Sequence, residues 1–218
     1  MKKRIGVVLS GCGVYDGSEI HEAVFTLLAI DKNGAEAICM APNKEFPAVN
    51  HMNGSPMGEK RNALLESARI ARGKIRCLKE IKAADLDAVV FPGGFGAAKN
   101  LCNFAEKGAG AEIHPEVARI LKEMAAANKP ICAICIAPAL VAATLGKEFK
   151  PKLTIGNDAG TAESINATGS KHMVCPVTEF IVDRENKIVS TPAYMLAQRI
   201  SEVADGIEKA IKATIDLI

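Results

Sequence analysis

Cys132 and Cys135 stand three residues apart in "KPICAICIAPAL" (129–140). A Cys-x-x-Cys pair suggests a redox couple, half of a zinc site, or one reactive thiol beside a packing cysteine. A redox couple needs both sulfurs near a helix start and close enough to bridge. A structural zinc site needs a second such pair or two histidines, and the chain has neither at the required spacing. "PICAI" (130–134) reads as a buried strand, so Cys132 points into a packed face. Cys135 falls at the turn from that strand into the helix "APALVAATLG" (137–146). On such a turn the thiol is exposed at the edge of a sheet. The amide of Ile136 then points to where an oxyanion would form, and a helix N-terminus is expected to lower the thiol pKa. A buried structural cysteine remains the plainer alternative.

Other polar groups belong in the same picture. "FPGGFGAAKN" (91–100) is Gly-Gly-x-Gly rather than a full dinucleotide fingerprint. It is expected to act as an anion turn in which the amide of Gly93 or Gly94 faces that of Ile136. Glu19 and Glu22 lie one turn apart at the start of a helix and read either as capping charges or as a carboxyl aimed at the thiol. His114-Pro115-Glu116 precedes the cysteine and opens an amphipathic helix, which explains it without chemistry. His172, in "TGSKHMVCP" (168–176), follows the cysteine and is the better histidine candidate. His51 lies in a long Pro-, Asn- and Gly-rich stretch (42–60) that reads as a loop near the site.

The elements expected to position these groups alternate along the chain. "RIGVVLS" (4–10) is a continuous apolar run of the kind buried on both sheet faces. "SEIHEAVFTLLAIDKNG" (18–34) is a helix with Ser18 as N-cap, Gly34 as C′ residue, and Ile20, Ala23, Val24, Leu27 and Leu28 as its inner face. Strands are expected at 35–41, 86–91, 130–134 and 152–156, helices at 61–72, 114–129 and 137–146, a hairpin at 179–192, and a C-terminal helix from about 193 to 218. The expected fold is α/β: a single-domain, doubly wound, flavodoxin-like and mostly parallel sheet with helices on both faces and a nucleophile elbow, spanning 1–218. Ligands in such sheets bind at the carboxyl ends of the strands, where "SGCG", "FPGGFG" and "AICIAP" all fall.

Bulk composition narrows the function. A formal net charge of +2 with no basic cluster argues against a nucleic-acid groove or an anionic membrane surface. Aromatic residues at 4% leave little to stack on single strands. No stretch is long and apolar enough to span a bilayer. Seven irregularly spaced cysteines suggest a reducing compartment, and a cytoplasmic address is the expectation.

The stretches "LSGCGVYDGSEIHEAV", "VVFPGGFGAAKN", "ICAICIAP", "TGSKH" and "TPAYMLAQ" occur in an order that resembles the PfpI-like branch of the glutamine-amidotransferase-like superfamily. Within it, the chain looks most like the ElbB-type glyoxalases, isoprenoid-biosynthesis proteins with an amidotransferase-like domain. The resemblance covers nearly the whole chain. It implies a glutathione-independent, cofactor-free and metal-free glyoxalase that converts glyoxal or methylglyoxal to a 2-hydroxy acid. It also implies Cys135 as nucleophile, Glu22 rather than Glu19 as the cleft carboxyl, His172 as an auxiliary histidine, the amides of Gly94 and Ile136 as oxyanion donors, and a homodimer. Ile136-Ala137 departs from the small residues that many relatives carry after the nucleophile. The alternative function is a redox-responsive or chaperone-like stress protein using the same thiol, with Cys12 as resolving thiol. Glutamine amide transfer ranks last, because no His-x-Glu follows Cys135.

Overall fold

The computed structural model describes residues 2–218. The first half runs β1 (Arg4–Val8), α1 (Ile20–Lys32), β2 (Glu36–Ala41), β3 (Glu45–Val49), β4 (Pro56–Asn62), α2 (Ala63–Ile70), β5 (Arg76–Cys77), β6 (Ala88–Phe91), α3 (Phe95–Lys99) and α4 (Phe104–Lys107). The second half runs α5 (Pro115–Ala126), β7 (Ile131–Ile134), α6 (Ala137–Phe149), β8 (Lys152–Leu153), α7 (Ala159–Ala167), β9 (Lys171–His172), β10 (Ile181–Asp183), β11 (Ile188–Thr191) and α8 (Ile200–Asp216).

Seven strands form one sheet in the order β10-β11-β7-β6-β1-β2-β5. Every pairing in it is parallel except β10 with β11. Strand alternation divides the side chains between two cores. Ile5, Val7, Val90, Cys132 and Ile134 pack with Ile207 and Ile211 of α8 on one face. Val8, Val89, Phe91, Ile131 and Ala133 pack with Ile120 of α5 and Leu140 of α6 on the other. The mostly parallel α/β sheet flanked by helices is therefore the fold expected from the sequence. β1 lies between β2 and β6, so the chain departs from it in two directions. The crevice opened there, at the carboxyl ends of β1, β6, β7 and β11, is where such sheets bind ligands.

Several local expectations are corrected. The stretch 42–60 is not a loop but contains most of an antiparallel hairpin, β3 with β4, that carries a bulge between Pro47 and Val49. Only Phe46 and Ala48 of this hairpin are fully buried, so its alternation is faint in the sequence. Helix α1 begins one residue after its cap Glu19, whose carboxylate accepts from the Glu22 N–H at 2.7 Å. Ser18 instead bonds the backbone N–H of Ser10 from a buried position. The inner face of α1 is Glu22, Ala23, Thr26, Ala29 and Ile30, whereas Ile20, Val24 and Leu28 stand exposed. The helix is apolar nearly all round, and periodicity could not choose between its faces.

Gly146 does not end α6, which runs on to Phe149 with Lys150 left-handed at its cap. A Cβ on Gly146 would stand 2.6 Å from the Thr168 carbonyl oxygen, so this glycine serves close approach rather than termination. The strand expected at 152–156 shrinks to β8, and the C-terminal helix starts only at Ile200.

Asn100, buried at the end of α3, ties the crevice together. Its Nδ2 donates to the carbonyls of Ser10 (2.8 Å) and Asp16 (2.7 Å), fixing the loop after β1 against α3. Asn100→Ala removes both donors and is expected to destabilise the fold by about 2–3 kcal/mol, measured by urea unfolding.

Candidate functional site

The chain extends one hydrogen bond beyond β7. Cys135 donates its N–H to the Thr191 carbonyl at 2.9 Å and then turns sharply, with a φ of +62°. A non-glycine residue in that region carries strain of about 1–3 kcal/mol, which persists only where surrounding contacts enforce it. Here α6 begins at Ala137 and strand pairing ends at Cys135, leaving no room for a wider turn. This is the expected elbow. Cys132 packs in the core beneath α8, and burial pushes its thiol up to about 12 against a hydrogen bond with Thr214. Both cysteines belong to the same apolar core, both are free thiols, and neither belongs to a metal or disulfide arrangement in the described residues.

Glu22 is fully buried and lies against Cys135. One carboxyl oxygen accepts from the Gly93 N–H at 2.9 Å and the other from the Tyr194 N–H at 3.3 Å. Gly93 is the residue that lets these groups meet. A Cβ there would stand 2.5 Å from the Cys135 Cβ and 2.7 Å from Glu22 Oε2. Gly94, at φ +90°, admits no side chain either: its Cβ would fall 2.4 Å from the Glu19 nitrogen. The amides of Gly94 and Ile136 lie beside the Cys135 sulfur and favour its thiolate.

The electrostatics differ from the sequence expectation. Burial, and then the charge of Glu19, raise Glu22 from an ordinary 4.5 to about 8, against hydrogen bonds from Cys135, Tyr194 and Gly93. Burial, followed by the Glu22 charge, raises the Cys135 thiol instead of lowering it, while the Gly94 and Ile136 amides oppose this. Desolvation at the floor of the cleft outweighs the helix N-terminus. The hydrogen bond between them runs from the Cys135 thiol to the Glu22 carboxylate, lowering Glu22 and raising Cys135, so a thiolate forms only when that proton passes to Glu22. The two groups titrate as a pair.

The structure brings Cys135, Glu22, Gly94 and Ile136 together. It does not bring His172 to the cleft. His172 sits on β9, where its Nε2 accepts a long 3.4 Å hydrogen bond from the Ile155 N–H and burial lowers its pKa. His114 caps α5 by accepting from the Glu116 N–H at 3.3 Å, in line with its structural reading. His51 fastens the β3–β4 turn to the loop after β1. Its Nε2 accepts from the Tyr15 N–H at 3.2 Å and its Nδ1 bonds the Val49 carbonyl at 3.0 Å. Cys12 neighbours Glu66, Arg69 and Asp16, and is not among the cleft-lining residues.

Sequence reasoning missed Tyr194 and His21. Ala193, at φ +45°, turns the chain so that the Tyr194 N–H reaches Glu22. The Tyr194 hydroxyl bonds His21 Nδ1 at 2.7 Å, and His21 stands 3.9 Å from Glu19. Glu19 and Tyr194 line a cleft of about 660 Å³ above Cys135. Its far walls come from Phe104, Ala105 and Gly108 on and beside α4, and from Gly160, Thr161 and Ser164 on α7. The start of α7 carries a signal that the sequence analysis did not use: Asp158 is its N-cap, accepting from the Thr161 N–H at 2.8 Å. The "TPAYMLAQ" stretch singled out Tyr194 without assigning it a role.

Folded Glu22 keeps its proton up to about 8, whereas the same group in an unfolded chain loses it near 4.5. Its favourable contribution is therefore complete below 4.5 and lost as pH rises through 8, by roughly 5 kcal/mol at most. Glu22→Gln, neutral throughout, is expected to gain stability relative to wild type progressively between pH 5 and about 8. Chemical denaturation at several pH values would show this, and parallel stability curves would contradict it.

The likeness to known proteins lies in sequence and fold. The DJ-1/PfpI family model matches residues 16–154. The chain is 46% identical over 99% of its length to the ES1 protein homolog, mitochondrial, of Rattus norvegicus, and covers 84% of that protein. It is 47% identical over 98% of its length to the human glutamine amidotransferase-like class 1 domain-containing protein 3, mitochondrial, covering 83% of it. A crystal structure of an isoprenoid biosynthesis protein with an amidotransferase-like domain from Ehrlichia chaffeensis superposes with a TM-score of 0.93. It is 39% identical, and the match covers 99% of both chains. Drosophila melanogaster DJ-1beta shares the fold at 14% identity, with a TM-score of 0.59 over 100% of this chain and 96% of that one. The cytoplasmic expectation is corrected, because the rat, human and Danio rerio relatives are all named as mitochondrial proteins. Free cysteines speak only of a reducing environment and do not choose one compartment. The elbow cysteine, its buried carboxyl partner and these likenesses lead to one conclusion: the chain belongs to the DJ-1/PfpI family.

Proposed function

We propose that the protein is an ElbB-type, glutathione-independent glyoxalase acting on 2-oxoaldehydes such as glyoxal and methylglyoxal, with Cys135 as nucleophile and Glu22 as acid and base. The observation that supports this reading best is the contact between the strained elbow thiol and a carboxyl group that burial holds protonated up to about 8. A general acid–base works best when its pKa lies near the working pH.

The reaction proceeds through the minor tautomer of the singly protonated pair, in which the proton that burial favours on the sulfur has moved to Glu22. The Cys135 thiolate adds to the aldehyde carbon, and the new alkoxide takes the Glu22 proton, giving a hemithioacetal. The Glu22 carboxylate then removes the hydrogen on that carbon, forming an enediolate. It returns the proton to the neighbouring carbon, while the hydroxyl proton passes between the two oxygens. The product is a 2-hydroxy thioester. The aldehyde carbon is oxidised as the ketone carbon is reduced, so no outside oxidant is needed. Water, deprotonated by Glu22, attacks the thioester. The Gly94 and Ile136 amides, which oppose the rise of the thiol pKa in the free site, support the tetrahedral oxyanion. Collapse releases the 2-hydroxy acid and restores both the thiolate and protonated Glu22. Tyr194, whose hydroxyl bonds His21 Nδ1 at 2.7 Å, holds Glu22 in place through its backbone N–H, and His172 takes no part.

Loss of methylglyoxal without glutathione tests the proposal. Cys135→Ala is expected to fall to background and Glu22→Gln by about 100- to 10,000-fold in kcat, with Cys132→Ala retaining turnover. Absence of turnover in every protein, or equal rates in all, would overturn it and favour an oxidation-responsive role for the same thiol.

A further inference from the structure

The cleft above Cys135 is far larger than the small dicarbonyls named above require. Its volume of about 660 Å³ falls within the range of about 300–1,000 Å³ typical of sites for drug-sized molecules. Its walls are mainly apolar, with Val14, Phe95, Phe104, Ile136 and Met195 surrounding the opening to the sulfur. Phe95 is 46% exposed at the start of α3, with the Tyr15 ring 6.5 Å away and much of its own ring open to solvent. A methyl group leaves most of this surface wet, whereas a longer apolar substituent would remove it from water.

Charge points the same way. The lining contains the Glu19 carboxylate and no lysine, arginine or histidine. Lys99 places its Nζ 4.8 Å from the Phe95 ring centroid and is not itself part of the lining. Buried Glu22 lies directly beneath. A carboxylate or phosphate on the substrate would meet the Glu19 carboxylate, and the lining itself supplies no cation, in surroundings where desolvating an anion is expensive.

Resting on the 2-oxoaldehyde reading above, we infer that the preferred substrates are uncharged 2-oxoaldehydes bearing an apolar chain or ring, bound with that substituent against Phe95, Phe104 and Met195. Ile136, the departure from small residues after the nucleophile, then acts as a wall for the chain. Binding energy from this remote part would appear in kcat/KM.

The test is a series on the full chain: methylglyoxal, 2-oxopentanal, 2-oxoheptanal, and the analogue of 2-oxoheptanal carrying a terminal carboxylate. The rate of aldehyde loss gives kcat/KM for wild type and for Phe95→Ala. Expected is a rise of roughly threefold per added methylene. The carboxylate analogue should fall at least about tenfold below its neutral counterpart. Phe95→Ala should reduce the ratio of long-chain to short-chain kcat/KM. A flat or falling series in an enzyme that still consumes methylglyoxal overturns this inference and leaves the proposed function standing. An unaffected carboxylate analogue likewise overturns the charge selection. No consumption of any aldehyde removes the proposed function and this inference with it.

Discussion

A carboxyl group and a thiol pressed together out of reach of water set the terms for the rest of this molecule. Glu22 comes from the first turn of α1, Cys135 from the end of β7, and the amides that hold them from the turn after β6 and the segment after β11. These four segments meet because β1 sits between β2 and β6, and because β7 and β11 follow in register toward one edge of the sheet. Gly93 marks how tight the meeting is, since a single added carbon would overlap both functional side chains.

Such a site opposes stability. Cys135 and Ala193 both hold positive φ without being glycine, and Glu22 is buried beside a second carboxylate. The two apolar cores on either face of the sheet offset these costs, as does the burial of helices α1 and α8 against each other. The strain has a chemical return. The elbow aims the sulfur into the cleft, and the turn at Ala193 supplies Glu22 with its second backbone donor. Burial then places the Glu22 pKa where proton exchange near neutral pH is possible.

The parallel sheet was legible because β1, β6 and β7 are uninterrupted apolar runs ending in glycine or cysteine turns. The elbow was legible for the same reason: a strand ends at Ile134 and a helix begins at Ala137, so Cys135 has nowhere else to be. The β3–β4 hairpin was hidden by Pro47, Pro56 and Gly58, and its exposed second strand has no alternation to read. The direction of the Cys135 pKa shift was misjudged because a helix N-terminus can be read in one dimension, whereas the depth of burial beside Glu22 cannot. His172 was chosen for its place after the cysteine. His21 and Tyr194, 173 residues apart, become neighbours only when α1 and the turn after β11 converge. The cleft walls on α4 and α7 escaped notice because short polar helices lack a strong apolar stripe.

The account rests on Glu22 and Cys135 sharing a proton. The most direct measurement is the rate of Cys135 alkylation by iodoacetamide, followed by mass spectrometry across a range of pH, in wild type and Glu22→Gln. A shared proton predicts a two-step profile in wild type with one inflexion near 8, reduced to a single step in the variant. Superimposable profiles would contradict it, leaving the buried carboxyl a bystander to the thiol.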